Sequence, residues 1–332
     1  MLLAAILVLA QDPAPPPAPL QVRTYSGAVM GTSLEIEVWG PDPARLEQAV
    51  QAAVAEIRRV EDLMTDWRPS PLLDLNAAAG SGPVPVRAEL FEVIELACEV
   101  ADLTGGAFDP TFAAAGRLWD FQAEPPRLPD RKALQDALGR VDWRRVHLDR
   151  QASTVALEPG TVLGLDGIAK GYGVDRAMAV LMAHGIRHAL VNAGGDLKAL
   201  GRKGGTELWE IAVRHPRDRE RVIAVLPVAN TCVVTSGDYE RFFELDGRRY
   251  HHILDPRTGL PATGCMSATV VAPDAALADS LATALCVLGP KEGLALVARL
   301  PRVEALVVGM DGTIQTSAGL RAPAGTSAGR GR

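Results

Sequence analysis

Hydrophobic and polar residues follow two different periods in the first third of the chain. Thr32–Trp39 (TSLEIEVW) alternates apolar and polar side chains, which predicts a half-buried β-strand. Pro43–Met64 has its apolar residues at helical spacing, which predicts an amphipathic helix. Glu89–Thr104 has the same spacing, and Gly105 and Gly106 follow it as a helix stop. This region therefore mixes strand and helix.

Strand patterns dominate the second half of the chain. Asp175–His184 predicts a third helix, and His188–Asn192 predicts a buried strand. Ala268–Ala272 predicts a late strand, and a helix is expected over about Ala275–Leu288. Between them lie the strand candidates LWEIAVRH, RVIAVLPV and TCVVTSG and a hairpin over Phe242–Tyr250 around Asp246–Gly247. Long helices among antiparallel strands favour an α+β domain over a doubly wound parallel sheet.

The ends of the chain differ from this body. Met1–Ala10 is a short apolar run, and a proline-rich linker follows it up to residue 20, an order typical of a secretory signal cleaved after Ala10. A disordered or mis-started N-terminus is the alternative. Ser317–Arg332 is rich in Gly, Ala and Ser and is expected to be disordered. Helical patterning resumes after the proline-rich Ala123–Arg131, so residues 21–316 are predicted to form one compact domain, between a leader at 1–20 and a tail at 317–332.

Composition narrows the function. The chain has 332 residues and 48% hydrophobic residues, which excludes wholesale disorder, collagen and a polytopic membrane protein. Its 34 basic and 40 acidic residues give a net charge of −6, so the basic surface expected of a nucleic-acid-binding protein is missing. An acidic chain that binds phosphates needs a metal ion or backbone amides. The cysteines have no CxxC spacing and are interpreted as small buried residues, with one or two disulfides left open: Cys98, Cys232, Cys265 and Cys286.

Glycine-rich segments are the first candidates for chemistry. Gly164–Gly173 (GLDGIAKGYG) would let the backbone approach a phosphate, and a helix starting after it would aim free N–H groups at an anion. It matches neither GxxxxGK[ST] nor GxGxxG, and an ordinary turn is the alternative. Lys170, one of only five lysines, favours a functional role. Gly105–Thr111 (GGAFDPT) places Asp109 before a proline in a turn, which is either a ligand contact or a plain helix stop.

Two further segments are rich in oxygen and nitrogen ligands. Asp279 and Thr283 are four residues apart, so on a helix they share one face and suit a hard cation such as Mg²⁺; an N-cap role for Asp279 is the alternative. Thr235–Pro261 concentrates polar side chains around turns. Its adjacent histidines, His251 and His252, should point to opposite faces of a strand, so only one of them faces a site. Val191–Gly201 (VNAGGDLKALG) is either a tight hairpin or a polar wall of that site.

Taken in order, these segments resemble the ApbE family of FAD:protein FMN transferases. The resemblance runs from Met30 to about Gly289. It rests on the ordered set MGT, LMTDWRPSPLLDLN, GGAFDPT, GIAKGYGVD, VNAGGD, TSGDYER, YHHILDPRTGLP and ADSLATAL. Each motif is modest alone, but the ordered set is highly specific.

The resemblance implies an α+β, T-fold-like single compact domain with mainly antiparallel sheets and packed helices. It also implies an enzyme that uses Mg²⁺, cleaves the FAD pyrophosphate, releases AMP and attaches FMN through a phosphoester to a threonine or serine of a target flavoprotein. By the same resemblance, the FAD-site residues are Met30, Trp67, Ala107, Phe108, Asp109, Lys170 and Ile253. The metal-site residues are Asp279 and Thr283 with the backbone of Gly167 and Ala282, and His252 is the candidate general base.

The sequence departs from the family pattern at two positions. Trp67 stands where many relatives have tyrosine, and Gly164 stands where the family usually has aspartate, a loss for which Asp166 would partly compensate. Two alternatives to FMN transfer stay open, a Mg²⁺-dependent FAD pyrophosphatase and a non-catalytic flavin-binding protein. The resemblance further implies a periplasmic or exported enzyme at the cytoplasmic membrane, with an acceptor such as a subunit of a membrane redox complex.

Overall fold

An eight-stranded antiparallel sheet forms the centre of the molecule in a computed structural model that describes residues 19–320. The predicted leader, apart from residues 19 and 20, lies outside the described residues. The strands are β1 (Gln21–Val29), β2 (Thr32–Gly40), β3 (Val84–Pro85), β4 (Val146–Asp149), β5 (Thr154–Leu157), β6 (His188–Ala193), β7 (Asp196–Leu200), β8 (Trp209–His215), β9 (Asp218–Val228), β10 (Thr231–Gly237), β11 (Phe242–Leu245), β12 (Arg248–His251), β13 (Cys265–Ala272), β14 (Glu304–Gly309) and β15 (Ile314–Thr316).

The main sheet has the strand order β1-β2-β6-β7-β10-β13-β14-β15. Every neighbouring pair is antiparallel; in the β10–β13 pair, for example, Thr235 lies opposite Thr269. Three small sheets, β3-β5-β4, β8-β9 and β11-β12, complete the strand content of the described chain. The predicted α+β class with mainly antiparallel sheets is confirmed.

Helices cover one face of the main sheet. They are α1 (Pro43–Met64), α2 (Pro71–Ala77), α3 (Ala88–Leu103), α4 (Ala113–Gly116), α5 (Arg131–Leu138), α6 (Ala169–Ala183) and α7 (Ala275–Val297). Helices α1 and α6 bury their apolar stripes against β2 and β6, and α7 packs on β10, β13 and β14. Apolar residues that face away from the helices, such as Leu197 and Val233, are covered by the β8–β9 hairpin through Trp209 and Ile211.

The predicted elements agree with the structure where the hydrophobic period is strong. The strand at 32–39 and the helix Pro43–Met64 are present, and the strand candidates between 208 and 250 form β8, β9, β10 and the β11–β12 hairpin. The helix predicted over Asp175–His184 begins six residues earlier, at Ala169. The first half of the glycine-rich segment, residues 164–168, is loop and turn, and its second half opens helix α6, where the Gly171 amide finds a partner on α7.

The helix predicted to end near Leu288 is interrupted at the following residue. Gly289 has φ 73° and ψ −179°, and Pro290 starts a second helical stretch that runs to Val297. Helix α7 is long and apolar enough to cross a membrane by length and composition, but 61% of its most apolar window is buried inside the protein. Its apolar character is thus explained by its place in the core.

The first residues of the predicted tail are part of the fold. Ser317 is buried, its amide donates to the carbonyl of Ala305 (2.9 Å), and its hydroxyl lies between Glu304 and the Ala305 amide. Residues 318–320 form one short 3₁₀ turn, so order extends four residues into the predicted tail, and the remainder lies outside the described residues. The four cysteines are free thiols, and Cys232, Cys265 and Cys286 are buried, which agrees with their interpretation as small core residues.

Candidate active site

Two adjoining cavities lie where the loops of the sheet meet the start of α6. The wide cleft has a volume of about 640 Å³ and is lined by Met30, Trp67 and Arg241, among others. The narrow pocket has a volume of about 140 Å³. Asp166 and Lys170 line both cavities, so a single elongated ligand can reach from one into the other.

The structure brings together eleven of the twelve residues predicted for the site. Met30 and Trp67 line the wide cleft, and Lys170 lines both cavities. The narrow pocket is lined by Ala107, Phe108, Asp109, Gly167, His252, Ile253, Asp279 and Thr283. Ala282 is the exception, because it is fully buried within α7 and lines neither cavity. Any contact from Ala282 to a ligand would have to come from its backbone carbonyl.

A lysine and two carboxylates form the most buried charged group at this site. The Lys170 Nζ lies 2.8 Å from an Asp196 oxygen and 3.5 Å from Asp279 Oδ1. The two aspartates are 1% and 2% exposed, respectively. We call Lys170, Asp196 and Asp279 the lysine cluster. With all three groups charged it carries a net −1 at the wall of the narrow pocket.

The charges of the lysine cluster perturb one another. Burial lowers the pKa of Lys170, but the carboxylates of Asp196 and Asp279 outweigh this effect and hold that pKa above its ordinary value. Burial, followed by the negative charge of Asp279, raises the pKa of the Asp196 carboxyl. Lys170 is therefore a permanent cation, and the raised pKa of Asp196 means that keeping both carboxylates charged is unfavourable unless a second cation neutralises them.

Asp279 holds two helices together. Its Oδ2 accepts a hydrogen bond from the Gly171 amide (3.2 Å), one of the N–H groups that the first turn of α6 leaves unpaired. The helices touch here, because a Cβ on Gly171 would lie 2.2 Å from the carbonyl oxygen of Ala275. The N-cap of α7 is Asp274, so the alternative interpretation of Asp279 as the N-cap of its own helix is wrong. Its other oxygen, Oδ1, faces Lys170.

The oxygen atoms near Thr283 suit a hard cation. A Cβ on Gly167 would lie 3.5 Å from Thr283 Oγ1 and 3.0 Å from the Phe108 ring, so the absence of a side chain keeps this space open. Thr283 Oγ1 also lies 3.5 Å from the hydroxyl of Ser236. Among residues 19–320, no three His, Cys, Asp or Glu side chains are grouped as a metal centre would require. A cation here would rely on Asp279, hydroxyls and backbone oxygens, a set that fits Mg²⁺.

The two adjacent histidines have different surroundings, as predicted. His251 is 5% exposed, and its Nε2 donates to the carbonyl of Ala262 (2.9 Å). His252 lines the narrow pocket, and its Nδ1 lies 3.3 Å from the carbonyl of Arg241. A carbonyl can only accept, so this contact favours the tautomer with the proton on Nδ1, which leaves the Nε2 lone pair as a base. Burial first, and then the charge of Arg241, lower the pKa of His252 to about 4, so it is neutral near pH 7.

Asp109 orders its own loop. One carboxylate oxygen accepts from the amide (2.8 Å) and hydroxyl (2.6 Å) of Thr111, and the other accepts from the Trp143 amide (3.2 Å). Burial raises the pKa of Asp109 despite these hydrogen bonds. Asp109 thus caps the turn at Pro110–Phe112, and this turn forms one wall of the narrow pocket.

The glycine at position 164 has a local explanation. Its amide donates to the carbonyl of Pro110 (2.8 Å), and a Cβ there would lie 2.8 Å from the Cβ of Ala113. An aspartate at this position would therefore collide with Ala113. Asp166 instead lines both cavities. The Asp166 side chain is exposed within the cleft. Its pKa is nevertheless raised, first because the surrounding protein desolvates the carboxylate and then because Asp66 is negatively charged.

Sequence reasoning left out Asp196 and Arg241 from the set of site residues. Asp196 lies in the VNAGGD segment, which forms the predicted β6–β7 hairpin and also supplies the buried partner of Lys170. Arg241 ends the TSGDYER segment and lines the wide cleft. Both stand in motifs that the sequence analysis had singled out. The signal was therefore present, but only the fold shows which polar residue of each motif faces the site.

Comparison with known proteins gives a consistent result. A sequence profile of the ApbE family matches residues 30–307. The chain is 39% identical over 320 residues to an FAD:protein FMN transferase of Treponema pallidum, an alignment that covers 90% of this chain and 88% of that protein. It is 34% identical over 292 residues to a protein of the same name from Klebsiella pneumoniae, with 87% and 89% covered.

Solved structures show the same likeness. An ApbE protein from Thermotoga maritima superposes with a TM-score of 0.82 at 36% identity, covering 90% of this chain and 98% of that one. The flavin transferase ApbE from Vibrio cholerae superposes with a TM-score of 0.79 at 29% identity, with the same coverage.

Proposed function

The chain belongs to the ApbE family, and from this we propose that it transfers FMN from FAD to a threonine or serine hydroxyl of a target flavoprotein, with Mg²⁺ required and AMP released. That it is an FAD:protein FMN transferase follows from the family and from relatives at up to 39% identity. The metal, the acceptor hydroxyl and the AMP product are the finer parts of the proposal, and they are argued from the site.

The proposed reaction breaks a phosphoanhydride bond of FAD and forms a phosphoester bond to the acceptor. The acceptor oxygen forms a bond to the phosphorus of the FMN half, and the bond from that phosphorus to the bridging pyrophosphate oxygen breaks. The bridging oxygen and its electron pair leave with AMP. The hydroxyl proton is lost to a base, so the products are flavinylated protein, AMP and one proton.

The observation that carries the proposal is the meeting of a base, a cation and a charged carboxylate in one pocket. His252, Lys170 and Asp279 line the narrow pocket, which adjoins a cleft large enough for the flavin. FAD spanning both cavities would place its pyrophosphate near Lys170. The ammonium group would there stabilise the negative charge of the phosphates. Phosphoryl transfer depends mostly on this positioning and charge stabilisation.

His252 is assigned the proton of the acceptor hydroxyl. Its neutral imidazole with a free Nε2 has the form a base needs near pH 7. Asp279, Thr283 and the backbone of Gly167 and Ala282 are the groups that would hold Mg²⁺, which when bound supplies charge neutralisation for the phosphates. Asp279 also fixes the start of α6, and thereby the position of Lys170.

The decisive experiment incubates purified protein with FAD and MgCl₂, with and without an acceptor domain that carries a threonine. AMP is measured by chromatography, and covalent flavin is measured by fluorescence of the acceptor on a denaturing gel. The matched acceptor has valine in place of the threonine, and a parallel reaction contains EDTA. We expect acceptor fluorescence and an equal amount of AMP, both lost with the valine acceptor and with EDTA.

Other outcomes separate the alternatives. AMP and free FMN with no labelled acceptor would identify an FAD pyrophosphatase and contradict transfer. Bound FAD with neither product would identify a flavin-binding protein. Transfer that persists at full rate in EDTA would contradict the metal part of the proposal alone.

A further inference from the structure

A buried carboxylate that lies outside both cavities connects separate parts of the fold. Asp238 directly follows β10, is 3% exposed and lines neither the wide cleft nor the narrow pocket. Each of its carboxylate oxygens accepts a hydrogen bond from the guanidinium of Arg217, at 2.6 Å. The Asp238 amide donates to the carbonyl of Met266 on β13 (3.0 Å). Asp238 is therefore held at both its backbone and its side chain, although the proposed reaction makes no use of its charge.

The charged partners of Asp238 come from two different hairpins. Arg217 lies in the turn between β8 and β9, 21 residues before Asp238 in the sequence. Arg249 lies on β12, and its Nη1 is 4.0 Å from Oδ1 of Asp238. One carboxylate at the end of a main-sheet strand thus faces the β8–β9 turn and the β11–β12 hairpin. We call Asp238, Arg217 and Arg249 the Asp238 cluster.

The β11–β12 hairpin is not part of the main sheet. Within residues 19–320 its two strands pair only with each other. Phe243 and Tyr250 of the hairpin pack against Trp119, but apolar packing is non-directional. Two parallel hydrogen bonds from one guanidinium, in contrast, fix both distance and orientation. The Asp238 cluster therefore gives a defined geometry to the point where the main sheet leads into this hairpin.

The same hairpin carries the candidate base. Strand β12 leads directly into His252, which lines the narrow pocket. The amide and Nδ1 of His252 lie 3.0 and 3.3 Å from the carbonyl of Arg241, at the other end of the hairpin. Lys170 and Asp279 lie instead on α6 and α7, which pack on the main sheet. The distance between the base and these charged groups thus depends on how the hairpin is held against the main sheet.

We propose that Asp238 is a positioning residue, which through Arg217 and Arg249 fixes the β11–β12 hairpin on the main sheet and so places His252 beside the acceptor hydroxyl. This inference rests on the proposed FMN transfer, in which His252 takes the hydroxyl proton. A buried ion pair adds little net stability, because desolvation offsets the attraction between its charges. The main effect of the cluster is therefore expected in the rate of transfer.

The test compares Asp238→Asn and Arg217→Lys with the control Glu244→Gln. Asp238→Asn removes the charge at nearly constant shape, and Arg217, whose side chain is 31% exposed, can then be solvated by water. Arg217→Lys keeps a positive charge but lacks the planar fork that makes two parallel bonds. Glu244 lies on the same hairpin and bonds Arg249 (3.1 Å), but it is 60% exposed. The measurements are kcat at saturating FAD, the Kd for FAD from flavin fluorescence, and hydrogen exchange over residues 242–252.

We expect Asp238→Asn to lower kcat about tenfold or more and to leave the Kd for FAD within about threefold of the wild-type value. Arg217→Lys should have an intermediate kcat, and Glu244→Gln should match the wild type within about twofold. Hydrogen exchange in Asp238→Asn should become faster over residues 242–252 and stay unchanged in β1 and β2.

Three results would overturn the proposal. They are a wild-type kcat in folded Asp238→Asn, unchanged hydrogen exchange over the hairpin, and a loss of FAD affinity as large as the loss of kcat, which would indicate general loosening of the fold. If Asp238→Asn does not fold, the same measurements on Arg217→Lys decide the question.

The proposed function is tested separately by the wild-type protein. If the wild type transfers no FMN to any acceptor, the proposed function fails, whatever the hydrogen exchange of the hairpin shows. If the wild type transfers FMN and Asp238→Asn does so at the same rate, the positioning role fails while the function stands.

Discussion

Two clusters of charged residues flank helix α6. Both combine basic side chains with carboxylates, but their charges are balanced differently. The lysine cluster joins Lys170 to Asp196 and Asp279. On the other side of the helix, Arg59 and Arg176 pair with Glu56 and Glu89 across α1, α3 and α6. We call this second group the arginine cluster. Tyr172 of α6 donates to Glu89 as well (3.0 Å).

The clusters differ in how completely their charges cancel. The arginine cluster has two positive and two negative groups, and Arg59 hydrogen-bonds both carboxylates with two nitrogen–oxygen contacts each, at 2.6–2.9 Å. The lysine cluster has one ammonium for two almost fully buried carboxylates. Burial of uncompensated charge is costly in free energy, which is reflected in the raised pKa of Asp196, and titratable groups with shifted pKa values cluster at functional sites. The contrast agrees with a structural role for the arginine cluster, which joins α1, α3 and α6, and with the proposed role of the lysine cluster in binding a cation.

The sharpest test removes one charge from each cluster. Asp279→Asn keeps an oxygen for the Gly171 amide but loses the charge that a cation requires, so we expect FMN transfer to fall by about 10²–10³-fold. Glu89→Gln is the matched loss of charge in the arginine cluster and should change kcat by less than about twofold. Rates of acceptor labelling with saturating FAD measure both effects.

Thermal unfolding of Asp279→Asn provides the control, and its Tm should stay close to that of the wild type. A variant that is fully folded and still transfers FMN at wild-type rate would remove the distinction between the two clusters.

A second test asks whether His252 provides the base. His252→Gln should lower the kcat of transfer by about 10²-fold or more and leave FAD binding intact. Because the pKa of His252 is lowered to about 4, its neutral form is lost only as the pH falls through that value. The acid limb of the kcat profile should therefore lie near pH 4 and not near 6.5.

Arg241→Gln sharpens this prediction. Desolvation is the larger cause of the low pKa and remains in the variant, but one positive charge near His252 is gone. The acid limb should therefore move upward, part of the way towards 6.5. An unchanged limb, or an acid limb near 6.5 in the wild type, would exclude His252 as the titrating base.

The fold was predictable from the sequence wherever one period dominated. Helix α1 carries an unbroken apolar stripe from Leu46 to Val60, and its predicted bounds match the structure. Helix α6 was placed too late because Gly171 and Gly173 are poor helix formers, and the contacts that stabilise its first turn come from Asp279, over a hundred residues away in sequence. Strand β1 was missed because its residues are mostly exposed and show no clear alternation.

The site was predictable because its chemistry is concentrated in motifs, which the family resemblance then ordered. What the sequence could not show is which contacts are already satisfied within the protein. Both carboxylate oxygens of Asp109 accept hydrogen bonds, one from Thr111 and the other from Trp143. Asp279 accepts from the Gly171 amide with one oxygen, and its other oxygen faces Lys170 at the pocket. The strand order of the main sheet likewise depends on long-range pairing, which no local pattern reveals.

The smallest effect on activity is expected from the arginine cluster itself. Arg59→Met removes the ion pairs to Glu56 and Glu89 but keeps most of the aliphatic stem, so we expect a loss of about 1–2 kcal/mol in the free energy of unfolding at pH 7. Arg59 hydrogen bonds lower the pKa of Glu56 to about 2 from an ordinary 4.5. A carboxylate whose pKa is lower in the folded state stabilises it above the unfolded pKa, and this contribution disappears as the pH falls from about 4.5 towards 2. The difference in free energy of unfolding between wild type and Arg59→Met, measured with urea, should therefore shrink over that interval.

The KM of the Arg59→Met variant for FAD should remain within about twofold of the wild-type value. A variant that unfolds like the wild type but transfers FMN tenfold more slowly would show instead that the balanced cluster acts on the site, through the helix that carries Lys170.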